Sequence, residues 1–238
     1  MKNLKEIIAN IKLTKRNKII IIIGIIILLA GGLITYKIIS NNNLNKNLLI
    51  YQEKSYELYF LSSGLSGLIH SSLNDYIFDD KRYFNGNYCR ENSDVVTAVQ
   101  GYYSEKGIYD KLEKLYKEVK ELNKEIKSSC SKSSSTYEIV SELYKSTKLL
   151  YDCAKSPSGN YQQYTQSINR GTNDFEIQFS DLEIEVGDFE KIKKEKIEKK
   201  IISYFIENKS SNNTIEESGF TIEESGLITE SVTETYIE

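Results

Sequence analysis

Hydrophobic positions fall into two patterns along this chain. The first is a solid block: Ile19 to Thr35 reads IIIIIGIIILLAGGLIT, 17 positions without a charge. As a helix rising ~1.5 Å per residue it is ~26 Å long, close to the hydrocarbon thickness of a bilayer. The second pattern follows and is periodic. Leu44, Leu48, Tyr51, Leu58, Leu65, Ile69 and Tyr76 are separated by 3, 4 or 7 positions, which places them on one stripe of a helix over 43–78. Gly64 and Gly67 interrupt this helix. An interior glycine costs ~1 kcal/mol relative to alanine, so a close helix contact or a bendable point is expected there.

The periodic pattern then repeats in units divided by turn signals. Residues 79–92 (DDKRYFNGNYCREN) form a turn-rich loop with Asn85-Gly86 as its strongest signal. Ser93 is placed to cap a second helix with the stripe Val95, Val99, Tyr102, Tyr109, Leu112, Tyr116, Val119 and Ile126, and with a defect near Gly107. After SSCSKSSS, Ser135 and Glu138 have capping-box spacing. They open a helix to about Ala154 with Val140, Leu143, Thr147, Leu150 and Ala154 inward. Ser156-Pro157-Ser158-Gly159 ends it.

Tyr161, Tyr164, Ile168, Thr172, Phe175, Phe179, Leu182 and Val186 alternate by 3 and 4, the coiled-coil-like pattern of a bundle helix. Its last piece, EIEVGD, also reads as a short strand, but length favours helix. Gly187 stops it, and Asp188 is placed to cap a fifth helix with Phe189, Ile192, Ile201 and Phe205 inward. Short connections make successive helices antiparallel. The expected fold class is therefore all-α: an N-terminal single transmembrane helix, an up-and-down bundle of four or five helices, and a disordered acidic C-terminal tail. A single proline, Pro157, agrees with long unbroken helices.

Charge orients this arrangement. The net −3 divides into +5 over residues 1–18 (six cations against Glu6), −6 over 208–238 (seven glutamates against Lys209) and −2 between them. Cations on the N-terminal side of the apolar block keep that side in the cytoplasm. The expected organisation is a basic cytoplasmic segment 1–18, a transmembrane helix 19–39, an extracytoplasmic helical domain 40–207 and an acidic tail 208–238. Leu4, Ile7, Ile8 and Ile11 are spaced to lay the first segment on the inner leaflet. A cleaved signal peptide ending at Ala30-Gly31-Gly32, giving a secreted protein, is the competing expectation. The near-neutral middle carries no concentrated basic face, so no nucleic-acid partner is expected. The tail repeats TIEESG from Thr214 and from Thr221. Its composition predicts disorder, with docking on a partner's sheet edge or on a basic surface as the functional alternative.

Candidate chemistry is sparse. His70 is the single histidine and is expected to be structural, since no ligand set of recognisable spacing accompanies it. Asp79-Asp80 and Glu216-Glu217 are adjacent carboxylates rather than a metal cage. No Walker or Rossmann glycine pattern occurs, so neither a cofactor nor catalysis is expected. Tyrosines are more suggestive: Tyr102, Tyr109 and Tyr116 recur every seven positions, as do Tyr137, Tyr144 and Tyr151. Both stripes read as bundle packing with hydroxyls at the rim or as an interaction surface. Cys89 and Cys153 fall at the same end of an antiparallel pair and are the expected disulfide, leaving Cys130 free; three free thiols are the alternative. Together these features predict a membrane-anchored, tethered interaction or structural module with a protein partner or a second copy. A sensory or regulatory ectodomain signalling through a membrane partner is the alternative.

Overall fold

The structure, a computed structural model, describes residues 15–206, with side chains from Asn43 onward. Among these residues it is helical apart from one small hairpin. Helix α1 spans Lys15–Phe78 and is followed by β1 (Tyr83–Phe84) and β2 (Asn87–Tyr88). Then come α2 (Asn92–Glu105), α3 (Ile108–Ser129), α4 (Ser135–Lys155), α5 (Tyr161–Val186) and α6 (Lys191–Ile206). The acidic tail and most of the basic N-terminal segment lie outside the described residues, as do the side chains of the predicted span. Among the residues whose side chains are described, from Asn43 to Ile206, no helix is long and apolar enough to cross a membrane.

Cross-helix contacts give the directions. Lys54 pairs with Glu118 at 2.9 Å and Asn47 reaches Glu125 at 3.5 Å, so α3 descends where α1 ascends. The Tyr109 hydroxyl donates to the Ala154 carbonyl at 3.0 Å while the Tyr116 and Tyr144 hydroxyls meet at 3.0 Å, so α4 ascends again. Helix α5 descends beside α1: Gln52 donates to the Gly187 carbonyl at 3.1 Å, and Tyr161 to Asn74 Oδ1 at 3.0 Å. The last helix returns parallel to α1, with Lys200 on Glu57 at 2.5 Å and Phe205 over Gly64. The helices thus form an up-and-down bundle with α6 strapped along the outside of α1.

The predicted stripes fill its centre. Tyr51, Leu58 and Leu65 of α1, Leu112, Val119 and Ile126 of α3, Val140, Leu143 and Leu150 of α4, and Phe175 and Leu182 of α5 are buried in one cluster. A second cluster lies at the hairpin end, where Ile69, Leu73 and Tyr76 meet Phe84, Val95, Val99, Tyr164 and Ile168.

Several local expectations are corrected. The predicted second helix is two helices, because Gly107 adopts φ 68 between them, a left-handed value that suits glycine. Its cap is not Ser93. The Asp94 carboxylate accepts from the Arg90 and Glu91 N–H groups at 2.8 and 3.4 Å, and Ser93 donates to Glu91. Helix α4 is capped one residue earlier than expected: Ser134, not Ser135, accepts from the Tyr137 N–H at 3.2 Å. Helix α6 begins at Lys191, past Asp188, and this start turns Ile192 to solvent and Ile197 inward. At Gly64 the structure shows the close helix contact that was one of the two expectations: a Cβ there would stand 3.0 Å from the Phe205 ring, so the missing side chain makes room for α6. Asn85 and Gly86, with φ 49 and 81, form the turn of the hairpin, the left-handed pair that suits a two-residue connection.

Candidate functional site

The tyrosine stripes meet in the seam between α3 and α4. Tyr116 stacks on Tyr151 with ring centroids 3.9 Å apart and an interplanar angle of 9°, and its hydroxyl meets that of Tyr144. Tyr151 donates to Glu113 Oε2 at 2.6 Å, and this bond holds the Glu113 carboxyl below its ordinary pKa. Burial pushes the Tyr109 hydroxyl up to about 12 and raises Tyr144 and Tyr151 as well. A hydrogen-bonded seam of this kind holds the two helices in register. Tyr109, Tyr116, Tyr144 and Tyr151 therefore each face a neighbouring helix. Tyr102 and Tyr137 stand apart from them, half-buried, with Lys106 and Lys127 over their rings at 5.2 and 4.6 Å. The break at Gly107 takes Tyr102 out of line with Tyr109.

No disulfide joins Cys89 to Cys153: all three cysteines are free thiols. The first two share the hairpin-end cluster, as the antiparallel arrangement requires. However, β1 and β2 turn the Cys89 thiol toward the Asn87 carbonyl at 3.7 Å. Burial raises both thiols, Cys153 to about 11, which disfavours the nucleophilic thiolate.

His70 bonds Thr165 Oγ1 through Nε2 at 3.0 Å and stacks on Tyr161 at 4.9 Å, contacts that lock α1 to α5. Among the described residues no group of three or more His, Cys, Asp or Glu side chains is placed to hold a metal ion. An open depression of about 800 Å³ lies between the hairpin and α2, lined in part by Asn87, Tyr88, Arg90, Glu91, Asp94 and Tyr102. Its acidic members Glu91 and Asp94 are engaged in capping α2.

The exposed aromatic pair is one that helical periodicity does not reveal. Tyr83 and Tyr88 face each other across the hairpin with ring centroids 5.2 Å apart and are 65% and 56% exposed. Phe78, at the end of α1, is exposed nearby in sequence. Their signal in the sequence is an aromatic residue two positions outside Asn85-Gly86 on one side and Gly86 on the other. No protein-family model, no functionally curated protein and no solved structure matches this chain.

Proposed function

We propose that this protein is a tethered interaction module: a helical bundle held at the outer face of a membrane by residues 19–39, which presents its hairpin end to a protein partner. One observation carries the reading. The uncharged run Ile19–Thr35 belongs to the same helix, α1, that forms the spine of the bundle and ends at Phe78. A helix is a stiff spacer, and the 43 positions from Thr35 to Phe78 correspond to ~65 Å at ~1.5 Å per residue. The exposed Tyr83, Tyr88 and Phe78 thus stand at the end of α1 remote from the anchor, and aromatic residues of this kind are enriched at protein interfaces.

Protease added to intact cells should degrade the bundle and spare residues 1–18; recovery of a cell-free bundle beginning near Leu33 or Asn41 refutes the anchor. A photo-crosslinker at Tyr83 or Tyr88 should capture a protein that the same probe on the α3 face, at Lys120, does not. A captured membrane protein with a cytoplasmic output domain would instead favour the sensory ectodomain.

A further inference from the structure

Helices α5 and α6 run antiparallel side by side and carry opposite charge. One arginine against five carboxylates makes α5 acidic by four charges, and six lysines against two glutamates make α6 basic by four. Lys194 on Glu183 at 2.9 Å uses one of these pairs within the seam between them. Away from that seam, Ile177 and Ile184 of α5 are 59% and 83% exposed, and Ile192 of α6 is 77% exposed. Asp181 lies four positions after Ile177 and three before Ile184, while Lys196 lies four after Ile192 and three before Lys199. At these spacings each charge flanks an outward position of its own helix. Among the described residues Asp181, Lys196 and Lys199 have no ion-pair partner.

Contacts inside the bundle set the relative height of the two helices. Lys194 is level with Glu183. Phe175 stacks on Tyr59 at 4.0 Å and Lys200 pairs with Glu57 at 2.5 Å, which puts Phe175 level with Ile202. Both contacts place Asp181 at the height of Lys196, and Ile184 and Ile177 within one residue, ~1.5 Å, of Ile192 and Lys199. A two-fold axis running along the helices preserves every height. It therefore brings α5 of one copy against α6 of the other, with Asp181 opposite Lys196 and Ile184 opposite Ile192. A two-fold axis across the helices would set α5 on α5 and α6 on α6, like charge against like, which is costly.

We infer that this face binds a second copy of the chain, in a two-fold dimer whose axis runs along the bundle. In each half of the contact Ile184 packs on the partner's Ile192, Ile177 packs on the stem of the partner's Lys199, and Asp181 pairs with the partner's Lys196 at the rim. Every copy supplies both an acidic and a basic helix, so the surface is self-complementary, as an isologous contact demands. Helix α1 of both copies then points the same way. The dimer stands apart from the partner at the hairpin end and does not require the anchor.

Sedimentation velocity of the full-length protein in nonionic detergent tests it. The protein should show a reversible monomer–dimer equilibrium in the micromolar range. Asp181→Lys and Lys196→Glu should each raise the dissociation constant about tenfold, because each sets like charges opposite one another in both halves of the contact. The double variant should return to within about threefold of the unsubstituted protein, since the pair is restored with its sign reversed. Ile184→Ser should weaken the dimer about tenfold as well. Helical circular dichroism should stay unchanged in all four, since every substituted side chain is outside the core. A monomer at every concentration would overturn the inference. A dimer indifferent to these substitutions would overturn it too, by placing the contact elsewhere, and so would a double variant weaker than either single one.

Discussion

Two glycines in helix interiors have opposite surroundings, and the difference decides the sign of the same substitution. A Cβ on Gly171 would stand 2.8 and 2.9 Å from Cγ and Cδ2 of the buried Leu150, whereas a Cβ on Gly101 would meet nothing within 4 Å. Alanine gains ~1 kcal/mol of helix propensity over glycine at either site. Overpacking a filled core costs ~1–3 kcal/mol, which exceeds that gain at Gly171 and is absent at Gly101. Gly171→Ala should therefore lower stability by ~1 kcal/mol and Gly101→Ala raise it by up to ~1 kcal/mol. Urea denaturation of the two variants measures both, and a stabilised Gly171→Ala would mean that α4 and α5 are not in this contact. Neither environment was legible in the sequence, because the atoms a Cβ would meet at Gly171 belong to Leu149 and Leu150, about 20 positions away on another helix.

At the scale of elements, helix starts were located to within a few residues by composition, but the capping residue was not. The run of serines before α4 offers several similar candidates, and the choice follows from where the turn Ser131 to Ser134 leaves the backbone: the Ser134 N–H donates to the Ser131 carbonyl at 3.0 Å. Loss of an N-cap costs ~1 kcal/mol. Ser134→Ala should show that loss in chemical denaturation, while Ser135→Ala, inside the first turn, should be close to neutral. Equal effects would remove the assignment. The break between α2 and α3 is similar in kind. Gly107 announced a defect, yet whether the helix bends or stops depended on how α2 packs on α1 at the hairpin end.

For the whole molecule, the tyrosines couple ionisation to unfolding. Burial raises Tyr51, Tyr56, Tyr59 and Tyr164 above the ordinary value of 10.0 and brings Tyr109 to about 12. Between the unfolded and folded values, the unfolded chain has lost protons that the folded chain keeps, so rising pH favours unfolding. The bundle should hold its stability below pH ~10 and lose it progressively above. Phenolate absorbance from the buried tyrosines should then appear together with loss of helical circular dichroism. Phenolate formation in the buried set with helix content intact would contradict the burial.

The all-helical class and most inward positions of α1, α3, α4 and α5 were determined by the sequence alone, because spacings of 3 and 4 fix a helical face before any partner is present. The Asn85-Gly86 turn was local in the same sense, since two left-handed residues in succession require little else. Tertiary structure decided the rest. It set which side of the tyrosine stripes is covered, because a stripe marks a face without naming its neighbour. It directed the Cys89 thiol away from a disulfide, because the hairpin, not the helix pairing, orients that residue. It chose the buried face of α6, where so few apolar residues allow more than one phase and the room left by Gly64 for Phe205 selects one.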